Sequence, residues 1–205
     1  MKIPRKMAVL IQKRIGSNKV LLLFGTRRTG KSFLLKTIEK ELSIPFLHLN
    51  AEDADVQQLL ENRSIANYKR LIGENELLVI DEAQVIPDIG KKLKLMIDEL
   101  EGLTIIATGS SSFDLSNKTG EPLTGRNFTY QLYPVAQVEL NEIENRLETK
   151  QNLEERLIFG SYPEVVTLKT IEEKKEVLKE LVNAYLLKDI LAFERIQNSR
   201  KIRDL

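Results

Sequence analysis

The sequence predicts an α/β protein, with a parallel five-stranded sheet between helices and an all-helical region after it. Three observations carry this. Short apolar runs of strand length alternate with segments of helical period as far as about residue 136. Two of the runs, residues 20–24 and 77–80, are apolar throughout, as strands covered on both faces are. Beyond Pro134 only helical periods remain, over residues 140–159 and 171–196, broken at Gly160-Ser-Tyr-Pro163. A core at 1–136 and a helical lid at 137–205 are therefore expected. The chain stops at Leu205 without a helix-stop residue or polar tail, as a fragment of something longer would.

The elements follow in order. A short helix is expected at 6–14, then the buried strand 20–24, and a helix from Phe33 to about Leu42. Residues 45–50 read as the second strand and 53–71 as one polar, acidic helical stretch. The third strand, 77–80, ends at Asp81-Glu82. Residues 90–100 are amphipathic, with Leu93, Leu95, Met96, Ile97 and Leu100 on the apolar stripe. Residues 103–107 form the fourth strand and run into Thr108-Gly-Ser-Ser-Ser112. Residues 127–133 alternate as a fifth strand, closed by Pro134.

Composition narrows the function. At 205 residues, 42% hydrophobic and 30% charged, the chain suits a soluble globular protein with a sizeable core. No apolar run nears the ~18 residues that span a bilayer. Residues 1–7 are basic but lack the apolar core of a signal peptide, so a cytoplasmic protein fits. With no cysteine there is no disulfide, thiolate metal site or cysteine nucleophile. The single histidine, His48, reads as a packed or strand-edge residue, and neither a zinc site nor a Ser–His–Asp triad is legible. The net charge of +1 hides an asymmetry: +6 over residues 1–20, +3 over 195–205, and so −8 between them. Basic ends make a nucleic-acid footprint or plain solvated helix faces. No aromatic residues interleave for base stacking, which favours the latter.

The chemistry concentrates at Gly25-Thr-Arg-Arg-Thr-Gly-Lys-Ser32, a complete phosphate-binding P-loop set between a strand and a helix. Gly25 and Gly30 are expected to let the backbone wrap phosphates closely. Lys31 supplies a cation for the β- and γ-phosphates, and Ser32 a hydroxyl for Mg²⁺. The nucleotide contacts are placed on Gly25, Thr26, Arg27, Arg28, Thr29, Gly30, Lys31, Ser32 and Phe33, with the Arg27 and Arg28 side chains pointing at least partly outward. Asp81 and Glu82 arrive at the C-terminal end of the third strand. Asp81 suits Mg²⁺ and Glu82 the attacking water, and strand alternation is expected to point them apart. At the next strand end Thr108 or Ser110 is a candidate to sense the γ-phosphate or hold the water. Arg126 is a candidate finger, in its own subunit or a neighbour's, or a surface arginine paired with an acid such as Glu121.

GTRRTGKS, LLVIDEAQ and TGSSS, in that order, resemble the AAA+-like ATPases of bacteria and archaea. IDEAQ (80–84), ATGSSSFDL (107–115), LTGR (123–126), GSYPEVV (160–166) and YLLKDI (185–190) resemble the subset with a C-terminal DUF4143 region, the AAA_14-like ATP-binding proteins. The resemblance implies an acid-bearing strand beside the P-loop strand, a helical lid over the nucleotide, and ATP rather than GTP. It also implies that Gly160 and Pro163 lie near the adenine, and that further domains follow the lid in family members. The expected function is Mg²⁺-dependent ATP hydrolysis driving a conformational change. The alternative is an ATP-gated module with little turnover that recruits DNA or a protein partner. A small-molecule kinase, with Asp53 and Arg63 near a phosphoacceptor, ranks third.

Overall fold

The computed structural model describes residues 2–109 and 123–183. Arg5–Tyr133 forms one compact unit, and the residues before Arg5 and after Tyr133 form another.

In the first unit, strands β1 (Val20–Phe24), β2 (Phe46–Asn50), β3 (Leu77–Asp81), β4 (Thr104–Gly109) and β5 (Asn127–Gln131) pair in parallel, in the order β2-β3-β4-β1-β5. The adjacency expected from the resemblance is overturned, because β4 lies between acid-bearing β3 and P-loop strand β1. Thr104–Ala107 pair with β3 on one side, while Ile105–Gly109 pair with β1 on the other. Strand order is set by long-range pairing, which no local run encodes.

Alternation along the strands divides the core. Leu21, Leu23, Leu77, Val79 and Ile106 pack under α1 (Lys6–Gln12) and α2 (Lys31–Glu39), meeting Ile11, Leu34, Leu35 and Ile38. Val20, Leu22, Phe24, Leu78, Ile80 and Ile105 face the other way. There α3 (Ala54–Glu61), α4 (Ile65–Ile72) and α5 (Ile89–Glu99) cover them with Leu60, Tyr68, Leu93 and Met96. With β1, β3 and β4 buried along their whole length, the continuous apolar runs are explained.

The single helix expected at 53–71 is two. Ser64 Oγ accepts from Asn67 N at 3.2 Å and starts α4 afresh, after Asp53 has capped α3 through Asp55 N. The fourth strand runs on through Thr108 and Gly109, and the fifth ends at Gln131.

The second unit holds α6 (Gln137–Leu140), α7 (Arg146–Phe159), α8 (Pro163–Thr167) and α9 (Ile171–Leu181). Asn145 with Glu148, and Thr170 with Glu173, form reciprocal capping boxes that fix the starts of α7 and α9. The stretch expected as one helix from Leu140 is interrupted by that cap at Asn145. Ile3 packs here against Val135 and Leu140, so the first residues belong to this unit and not to the core assigned to them. No helix among the described residues is long and apolar enough to cross a membrane.

Candidate functional site

The P-loop leaves β1 at Gly25 and turns into α2 at Gly30, whose φ of 94° lies in the left-handed region that favours glycine. Gly25 also has a packing reason to be small. A Cβ there would meet Leu132 O at 2.7 Å and Thr29 Oγ1 at 2.9 Å, so it is protein packing that excludes a side chain. Thr29 is fully buried and its hydroxyl donates to Thr26 O at 2.7 Å, closing the loop on itself. Arg28 sits at φ 62°, and Phe33 is half exposed on the first turn of α2. The opening N–H groups of that helix have no intrahelical partner and carry the positive end of its dipole.

Lys31 is only 5% exposed. Its ammonium donates to Gly25 O at 2.9 Å and lies 3.8 Å from Glu82 Oε1. Burial pulls its pKa below the ordinary lysine range, while the Glu82 and Asp81 carboxylates act in the opposite sense.

Insertion of β4 builds the acid cluster. Ser32 Oγ donates to Asp81 Oδ2 at 2.6 Å. Thr108, fully buried at the end of β4, donates to Asp81 Oδ1 through a short hydrogen bond and accepts from Glu82 N at 3.0 Å. Its hydroxyl is committed to holding the two acids, so Thr108 positions them. Ser110, the other candidate, lies outside the described residues.

Glu82 is not placed by strand alternation. It stands beyond β3 at φ 53°, ψ 40°, a left-handed conformation that non-glycine residues rarely adopt, and begins a 3-10 turn at Ala83–Val85. Gln84 on that turn donates Nε2 to Glu82 Oε2 at 2.6 Å.

Ser32 and Asp81 are hard oxygen donors already in mutual contact, a set that suits Mg²⁺ completed by water and phosphate oxygens. Among the described residues no three His, Cys, Asp or Glu side chains gather into a protein-only metal cage.

Arg126 precedes β5, its carbonyl accepts from Val20 N at the start of β1, and its Nε donates to Asp98 at 2.5 Å. The P-loop leaves the other end of β1, and Glu121, the acid suggested as a partner, lies outside the described residues. Pro163 opens α8 in the second unit. His48, half-buried on β2, bonds to Glu39 and not to the acid cluster.

Two contributors were not foreseen. Arg5 donates to Thr29 O at 2.7 Å and to Tyr133 O at 2.6 Å, bracing the P-loop from residues far away in sequence. Gln84 holds Glu82, and the signal for it was an amide two residues past the acid at a strand end.

Across residues 17–141 the chain matches the family model described as an AAA domain. The chain belongs to that family. In the rest of the AAA protein, residues 150–205 match a domain of unknown function, DUF8612. That model stands where DUF4143 was expected, and both 160–166 and 185–190 fall inside it. An uncharacterized protein of Methanocaldococcus jannaschii is 28% identical over 209 residues, covering 95% of this chain and 47% of its own. Uncharacterized proteins of Mycobacterium bovis and Mycobacterium tuberculosis are each 27% identical over 187 residues, covering 91% of this chain and 39% of theirs. The AAA chain thus spans less than half the length of these curated relatives. A Walker-type ATPase of Pyrococcus abyssi superposes with a TM-score of 0.60 at 16% identity, over 95% of this chain and 76% of that one. The likeness is one of fold, and the fold is that of a P-loop NTPase.

Proposed function

We propose that the AAA site binds Mg²⁺-ATP at Gly25–Phe33 and hydrolyses it to ADP and phosphate, driving a conformational change. The observation that carries this reading is the bonded chain Ser32–Asp81–Thr108–Glu82 with Lys31 beside it. Ser32 and Asp81 would hold the metal, which supplies neutralisation of the phosphate charge. Lys31 would exchange Gly25 O and Glu82 for β- and γ-phosphate oxygens. Released from the ammonium, Glu82 orients water for attack on the γ-phosphorus and takes its proton as ADP leaves. Ser110 is assigned to holding that water, and Gly160 with Pro163 to bordering the adenine. Arg126 acts only if a neighbouring subunit presents it.

One contact favours a second reading. Glu82 Oε2 accepts from Gln84, and a carboxylate held in that way orients water poorly. An ATP-gated module with rare turnover, recruiting DNA or a protein partner, would use such a state.

Steady-state hydrolysis with Mg²⁺, across protein concentrations and with or without DNA, separates the two. Glu82→Gln is expected to keep triphosphate binding and lose about 10²-fold or more in turnover. Lys31→Ala is expected to lose tight binding. Equal turnover in Glu82→Gln and wild type would remove Glu82 from its assigned role. A specific activity that rises with concentration would support an arginine acting between subunits.

A further inference from the structure

Helix α7 (Arg146–Phe159) has its polarity reversed. The face it turns to the second unit carries Thr149, Asn152, Glu155 and Arg156. Asn152 and Arg156 both donate to Glu144, the former at 3.5 Å. Gln137 of α6 donates to Thr149 Oγ1 at 3.4 Å, and Lys174 of α9 donates to Glu155. Of the helix's apolar residues, Phe159 alone sits on this side.

The opposite face holds Leu147, Leu153, Leu157 and Ile158, between 50% and 78% exposed, and no residue of the helix is fully buried. A helix on the surface of a closed unit points its apolar stripe inward. Large apolar side chains gathered on one outward face mark an interaction surface instead.

The order of charges along that face selects the partner. Leu147, Lys150, Glu154 and Leu157 recur at the alternating three- and four-residue spacing of a helix–helix seam, and all four are exposed. Laid antiparallel against itself, about a two-fold axis beside residue 152, this pattern is self-complementary. Leu147 meets Leu157 of the second copy, Lys150 meets its Glu154, and both pairs recur across the axis. Leu153 flanks the axis in each copy, and Ile158 extends the apolar band. Parallel pairing sets Lys150 against Lys150 and Glu154 against Glu154, which like charge disfavours. An unrelated partner requires no such symmetry about residue 152. We propose that α7 docks a second copy of this chain, antiparallel, through the seam Leu147–Lys150–Glu154–Leu157. One 14-residue helix gives a seam about 21 Å long, less than a standard interface, so the dimer is weak and concentration-dependent.

The test is sedimentation velocity on the nucleotide-free full chain, from micromolar to millimolar protein. Wild type is expected to pass from monomer to dimer within that range. Lys150→Glu alone sets acid against acid at both sites of the seam, and Glu154→Lys alone sets base against base. Each is expected to weaken the dimer about tenfold or more. Mixed in equal amounts, the two variants recreate an acid–base pair at both sites and are expected to associate as a heterodimer. Both substitutions change exposed side chains, and circular dichroism verifies that each variant is folded. Three results would overturn the proposal: a wild type that stays monomeric at millimolar concentration, a dimer that neither variant weakens, or variants that remain apart when mixed. The first would assign the face of α7 to a different occupant, and the second would place the dimer contact elsewhere on the chain.

Discussion

Replacing Thr108 with valine keeps the shape of a fully buried side chain and deletes its hydroxyl. Two bonds go with it, the donation to Asp81 Oδ1 and the acceptance from Glu82 N. A buried N–H left unpaired costs about 1–3 kcal/mol, and a lost bond to a charged group about 1.5–3 kcal/mol. Asp81 keeps Ser32 as a partner, so the low end of the combined range applies, about 2.5 kcal/mol. With a urea slope of about 2 kcal/mol/M, the unfolding midpoint should fall by roughly 1.2 M. Circular dichroism in urea, without nucleotide, measures this directly. Thr108→Ser, which keeps the oxygen, should recover most of the loss. A valine variant unfolding within about 0.3 M of wild type would refute the reasoning, since a hydroxyl holding both acids cannot be removed at no cost.

Two further substitutions probe the P-loop in the nucleotide-free protein. Burial lowers the pKa of Lys31 in the folded state, so the unfolded chain binds more protons and wild-type stability rises with pH between the folded value and about 10.5. Lys31→Met should therefore be more stable than wild type near neutrality, with the gap narrowing as pH approaches 10. Thermal unfolding across that range checks the sign, and a gap that widens with pH would contradict it. Gly25→Ala drives a Cβ against Leu132 O and Thr29 Oγ1 and should cost about 1–3 kcal/mol, read as a lowered unfolding temperature.

Much of the architecture was legible because burial on both faces leaves continuous apolar runs, as at Val20–Phe24 and Leu77–Ile80. The P-loop was legible because its residues are contiguous and their chemistry requires that spacing. What escaped was long-range or conformational. Nothing local places Thr104–Gly109 between the other two functional strands, and that placement turns Thr108 from a candidate sensor into a support for Asp81. The left-handed backbone at Glu82 was equally hidden, because glutamate carries no preference for it. Arg5 reaches Thr29 and Tyr133 across 24 and 128 residues, beyond any periodicity. The break between α3 and α4 did have a signal, the capping serine at 64, which an otherwise helical stretch concealed.

The packing of Ile3 against Val135 and Leu140 also bears on synthesis. A ribosome makes Ile3 132 residues before Val135. At about 5–20 residues per second the interval is roughly 7–26 s. Arg5–Tyr133, a compact unit with both faces of its sheet covered by its own helices, has the contacts to fold within that time. Ile3 cannot reach its place until the following segment has emerged. Ile3 therefore waits, unburied, while the whole sheet that follows it is made.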